Sequence, residues 1–98
     1  MIETVVTAPV NLGAETRVGF RENALAALEQ LEEGETGGRI VVDLSATRHI
    51  DSAGLGALVM LQLRAADRKQ SVCLRGASQE IRFLLEMTRL AARFVIEP

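Results

Sequence analysis

The residues best placed to do chemistry lie in Ile50-Asp51-Ser52-Ala53-Gly54-Leu55-Gly56. A serine follows an aspartate where a helix is due to begin. Its oxygen is suited to accept a bond from an orphan backbone N–H, so Ser52 is expected to cap the helix. The same hydroxyl would stand where the partial positive charge of a helix start favours an added phosphate. The chemistry expected of Ser52 is therefore that of a phospho-acceptor, and Asp51 is expected to bond loop amides or to orient that serine.

Other chemistries fit these residues poorly. Ser52, His49 and Asp51 are the three residue types of a hydrolytic triad, but they lie almost consecutively. Ile50 also stands where a Gly-x-Ser-x-Gly nucleophile turn has its first glycine, so that pattern is absent. There is one histidine and one cysteine, Cys73, so neither a metal cluster nor an internal disulfide is expected. No Walker-type phosphate loop is present. The chain is expected to be no enzyme and to need no cofactor.

The elements that must position Ser52 follow from pattern. Arg39 to Leu44 is a nearly continuous apolar run, the mark of a strand buried on both faces. From Ser52 or Ala53 to about Lys69 the chain has no breaker and reads as a helix. Ile2 to Ala8 reads as a strand stopped by Pro9, and Val10 to Glu15 as a loop. Thr16 or Glu15 opens a helix to about Glu33, followed by a loop from Gly34 to Gly38. Val72 to Leu74 is a strand, and Ser78 is expected to cap a third helix with Ile81, Leu84, Leu85 and Thr88 on one face. Phe94 to Ile96 is a short last strand. The order β-α-β-α-β-α-β predicts one α/β domain over residues 1–98, with strands joined through helices pairing in parallel.

Bulk properties narrow the function further. The chain has 98 residues, 48% hydrophobic and 24% charged, and a net charge of −2. Scattered basic residues and that net charge argue against nucleic acid. Arg64, Arg68 and Lys69 come nearest to a patch and read as a solvated helix end. Residues 1–10 do not read as a signal peptide, and no apolar run is long enough to span a bilayer. A cytoplasmic setting without membrane insertion is expected.

From Arg39 onward the chain resembles the STAS domain, the fold of bacterial anti-sigma factor antagonists. Asp43-Leu44-Ser45, then Asp51-Ser52-Ala53-Gly54-Leu55-Gly56 and a helix, match that family's pattern. The resemblance implies a mixed four- to five-stranded sheet with helices mainly on one face. It also implies a partner-switching signalling role in transcription regulation. A serine kinase that is also an anti-sigma factor would phosphorylate Ser52, only the unphosphorylated form would bind that kinase, and a serine phosphatase would reset the switch. The N-terminal part departs from the pattern. One strand stands in place of a hairpin, Asn11-Leu12 stands where Asp-Leu is expected, and Thr88-Arg89-Leu90 replaces Ser-Gly-Leu. These departures admit an alternative: a STAS subunit of an ABC-type lipid transport system that binds its ATPase.

The partner is expected on the loop before Ser52 and the first two turns of the following helix. His49, Asp51, Ser52, Ala53, Gly54, Gly56 and Met60 would form that surface. Leu55, Leu58, Val59, Met60, Leu61 and Leu63 point around most of the helix, more apolar surface than one sheet contact needs. Gly54 and Gly56 admit two readings, close helix–sheet packing or room for a partner's backbone.

Overall fold

The computed structural model describes residues 2–31 and 38–97. The elements in chain order are β1 (Glu3–Thr7), β2 (Asn11–Leu12), α1 (Arg17–Glu29), β3 (Arg39–Asp43), β4 (His49–Ile50), α2 (Ser52–Asp67), β5 (Ser71–Arg75), α3 (Gln79–Met87), a 3-10 turn (Ala91–Arg93) and β6 (Val95–Ile96). The main sheet has the order β1-β3-β5-β6. Every pairing in it is parallel, with Val5 opposite Val41, Val41 opposite Cys73, and Cys73 opposite Val95. The α/β class is as expected, but the sheet is parallel rather than mixed. Each link between its neighbouring strands carries a helix or a helical turn, and among the described residues no tight hairpin reverses a strand.

Strand alternation divides the sheet into two unlike faces. Val6, Ile40, Val42, Val72 and Leu74 point to one side, into a core shared with Phe20 and Ala24 of α1, Leu58 and Leu61 of α2, and Ile81 and Leu85 of α3. The helices thus gather on one face. On the other face Val41 and Cys73 are fully buried while Val5 and Val95 stay about half exposed. Charge closes this side. Arg39 pairs with Glu3 at 2.6 Å and Glu97 at 2.8 Å, and Arg75 pairs with Glu97 at 2.6 Å and Glu3 at 3.1 Å. The Arg75 contact, aided by a bond from the Cys73 thiol, holds the Glu97 carboxyl down at about 2, while burial pushes the Cys73 thiol up.

A second, two-stranded sheet was not expected. β2 pairs in parallel with β4, Asn11 opposite His49 and Leu12 opposite Ile50. The segment 10–15 read as a loop because two residues carry no alternation to recognise, and the pairing depends on a partner 38 positions away. Helix α1 ends at Glu29, short of the expected Glu33, since Gln30 caps it and Leu31 is already outside the helix. The rest of that extension and most of the expected loop from Gly34 to Gly38, residues 32–37, lie outside the described residues. Ser78 caps α3 as expected, accepting from the Ile81 amide at 3.2 Å.

Candidate functional site

The site is assembled by the β3–β4–α2 segment held against the β1–β2–α1 segment. Asp43 ends β3 by accepting from the Ser45 amide at 2.9 Å and the Ser45 hydroxyl at 2.6 Å, and these two bonds, the hydroxyl's first, lower its pKa. Thr47, almost fully buried, donates to the Pro9 carbonyl at 2.8 Å and pins the β3–β4 link to the β1–β2 link. The Asp51 amide donates to the Leu12 carbonyl at 3.2 Å. The chain therefore enters α2 from a fixed direction.

At the helix start the two candidate residues exchange roles. Asp51, with extended backbone, is the N-cap and accepts from the Gly54 amide at 2.9 Å. Its second oxygen accepts from the Ala14 amide at 3.2 Å. These bonds, that of Gly54 first, hold its carboxyl below the usual range, and the charge of Arg17 adds to them. Ser52 is the first residue inside the helix, not its cap: aspartate caps as well as serine and came first in the chain. Relieved of that work, the Ser52 hydroxyl is exposed and makes no hydrogen bond to any described residue. A nucleophilic oxygen is left displayed on a rigid support.

The two glycines divide just as clearly. Gly54 is buried, and a β-carbon there would fall on the Leu12 carbonyl oxygen and lie 3.1 Å from Ile50 Cγ2. It serves close packing of α2 on the small sheet and offers a partner no surface. Gly56 is exposed, and a β-carbon there would meet nothing within 4 Å. Ser52, Ala53, Gly56 and Met60 line one cavity of about 280 Å³ between α1 and α2, which Arg17 and Arg21 complete. His49 lies apart from it. It lines a different recess of about 460 Å³, together with Phe83 and Met87 of α3. The expected surface thus holds together in four residues, while Asp51 and Gly54 support it and His49 faces elsewhere.

Arg17 and Arg21 were missed by sequence reading. Their spacing of four puts them on the same side of α1, a signal visible in the sequence. That this side meets Ser52 depends on how α1 packs against α2, which periodicity does not give. Among the described residues no three His, Cys, Asp or Glu side chains group as a metal site, and no helix is long and apolar enough to cross a membrane.

Comparison with known proteins agrees with this architecture. The sequence profile described as "Mlab, STAS domain" matches residues 3–97, so the chain belongs to the STAS domain family. Curated proteins give no match. Among solved structures, a candidate anti-sigma factor antagonist from Thermotoga maritima superposes with a TM-score of 0.75 at 23% identity, over 94% of this chain and 77% of that one. A sulfate transporter family protein from Wolinella succinogenes gives 0.70 at 18% identity, over 96% and 75%. The murine Solute Carrier 26 family member A9 anion transporter gives 0.79 at 18% identity, over 98% of this chain and 16% of the transporter. At these identities the likeness is one of fold.

Proposed function

We propose that this STAS domain is a protein-binding switch of the anti-sigma factor antagonist type, acting by docking and not by catalysis. Unphosphorylated, the Ser52 face of α2 binds a serine kinase that is also an anti-sigma factor. The kinase moves the terminal phosphoryl group of ATP onto Ser52 Oγ, whose proton leaves, and a serine phosphatase reverses the modification. The observation that carries this reading is the division of labour at the helix start. Asp51 takes the capping role, so the Ser52 hydroxyl is exposed and bonded to no described residue.

The physics of the switch is local. A phosphoserine brings roughly −1.5 to −2 charges at neutral pH. Placed at a docking face beside Asp51, it opposes binding through like-charge crowding and the desolvation of a dianion. The helix start stabilises that phosphate by about 1 kcal/mol, so the fold itself is kept. Phosphopeptide mapping after incubation with the cognate kinase tests the reading. Label on Ser52 alone is expected, and label on Ser45, Ser71 or Ser78 instead would refute it.

A second reading is a STAS subunit that docks the same face on the ATPase of an ABC-type lipid transport system. Asn11 favours it, because this residue opens β2 beside the site where the antagonist pattern has an aspartate. Pull-downs with Ser52→Ala and Ser52→Asp separate the two readings. Recovery of a kinase by the first variant only supports the switch, and recovery of a transport ATPase supports the subunit.

A further inference from the structure

We propose that a phosphate on Ser52 is clamped within the same chain by Arg17 and Arg21, across the cavity between α1 and α2. The inference deepens the switch reading and rests on Ser52 being the modified residue. Its ground is the composition of that cavity. Of its lining residues only Arg17 and Arg21 are charged, and both are cationic, in a chain whose net charge is −2.

Both guanidiniums are free to take an anion. Neither makes a hydrogen bond or ion pair with any described residue. Arg39 and Arg75 differ: their forks are already filled by Glu3 and Glu97. Arg82, on α3, is spent on the Ala77 and Glu97 carbonyls. Arg17 and Arg21 stand one turn apart on α1, exposed at the rim of the stripe that Phe20, Ala24 and Leu28 bury in the core. Arg17 is close enough to the start of α2 to help lower the Asp51 carboxyl, behind the Gly54 and Ala14 amides.

Space and chemistry agree. Ala53, Gly56 and Ala57 are small, and the side of Gly56 is open, so the cavity of about 280 Å³ is left by missing side chains. A phosphoryl group fits there, since a water takes about 30 Å³ of liquid volume and the group is a few waters in size. Planar guanidinium forks bind phosphate oxygens in pairs, more strongly than neutral donors do. Asp51 is the carboxylate next to the phosphate in the chain. Its charge opposes the clamp, and two arginines are needed to offset it. Phosphorylation would then do more than add charge at position 52. It would fill the recess and withdraw two cations from the docking face.

The test installs phosphoserine at position 52 of the full chain by genetic encoding and follows the phosphate by phosphorus NMR. A free phosphoserine loses its second proton near pH 6. In the folded chain the midpoint is expected about one pH unit lower than in a short peptide of residues 48–56, at the low end of the shift from a contacting opposite charge. In the Arg17→Gln/Arg21→Gln variant it should move back toward the peptide's value, with the helix start keeping a small part of the shift and the fold retained by circular dichroism because both positions are exposed. The Arg Nε–H resonances of both residues should move on phosphorylation. A midpoint equal to the peptide's, or a lowered one that the double variant leaves unchanged, overturns the clamp. No kinase is used, so a failed clamp leaves the switch reading standing, whereas a kinase that ignores Ser52 defeats that reading while the titration of the installed phosphoserine stays as it is.

Discussion

The first turn of α2 has a locked side and a bare side, two residues apart. On the locked side Gly54 lies beneath the Leu12 carbonyl, and Asp51 is held by the amides of Gly54 and Ala14. On the bare side the Ser52 hydroxyl has no partner among the described residues, and Gly56 faces open space. A modifiable group needs both. The locked side fixes the direction of the helix start, and the bare side leaves its outward groups without structural duties. Glycine therefore means opposite things at positions 54 and 56, and substitution separates them.

The largest effect is expected at Gly54. In Gly54→Ala the new β-carbon meets backbone, which cannot swing aside as a side chain can. The gain in helix propensity, about 1 kcal/mol, is outweighed by overpacking of the kind that costs up to about 3 kcal/mol or more. A net loss of about 2 kcal/mol is expected in urea unfolding. A variant as stable as the parent would show that α2 can move off the small sheet and that the locked side is not locked.

Asp51→Ala comes next. It removes the N-cap, typically worth about 1 kcal/mol and up to about 2, and frees the Ala14 amide as well. A loss of about 1–2 kcal/mol is expected by the same measurement. Asp51→Asn keeps acceptor oxygen at a favoured cap position and should recover most of it. If the alanine variant loses nothing, Ser52 has taken over the cap, and its hydroxyl is not the idle group described above.

How much of this was legible in the sequence differs between the two sides. The main strands and all three helices were readable, because each carries a long apolar run or a strong periodicity. The motif around Ser52 was readable as well. Its division of labour was not: serine and aspartate are equally good caps, and only the backbone entering from Ile50 decides which one caps. The small sheet was missed because two-residue strands leave no pattern, and with it went the reason for Gly54. The cavity's arginines were visible as a pair but not as neighbours of Ser52. The extra apolar residues of α2 are divided likewise, with Leu58 and Leu61 buried and Leu63 half exposed.

Acid probes a second contrast, between the helix-covered sheet face and the face closed by charge. Glu97 and Glu3 both have carboxyl pKa values below the ordinary 4.5, Glu97 at about 2, chiefly through bonds from Arg75 and Arg39 respectively. A depressed folded pKa adds stability that is complete above the unfolded value and is lost as pH falls through the folded one. Thermal unfolding should therefore shift down between about pH 4.5 and pH 2. Asp43 and Asp51 are also lowered and contribute to the same loss. Glu97→Gln should be less stable than the parent at neutral pH and lose less on acidification. A melting temperature equally pH-dependent in parent and variant would mean that the ion network adds nothing and the charged face is held by Val41 and Cys73 alone.

The smallest change is expected at Gly56, and with the opposite sign. Gly56→Ala adds a methyl into open space and removes the conformational freedom of a glycine within a helix. A gain of about 0.5–1 kcal/mol is expected. Gly56→Arg should leave the fold nearly as stable as the parent, since nothing stands within 4 Å of the new β-carbon. It should nonetheless block docking, by placing a long cation across the face that Ser52, Ala53 and Met60 share. Stability and binding are thus expected to part company at this position, as they cannot at Gly54, where any loss of binding would follow loss of fold. Calorimetric titration with the recovered partner, beside urea unfolding of the same variant, reads both quantities. Unchanged affinity in a folded Gly56→Arg protein would place the docking surface off the bare side of the turn. The recess between β4 and α3, which His49, Phe83 and Met87 line, would then be the next surface to substitute.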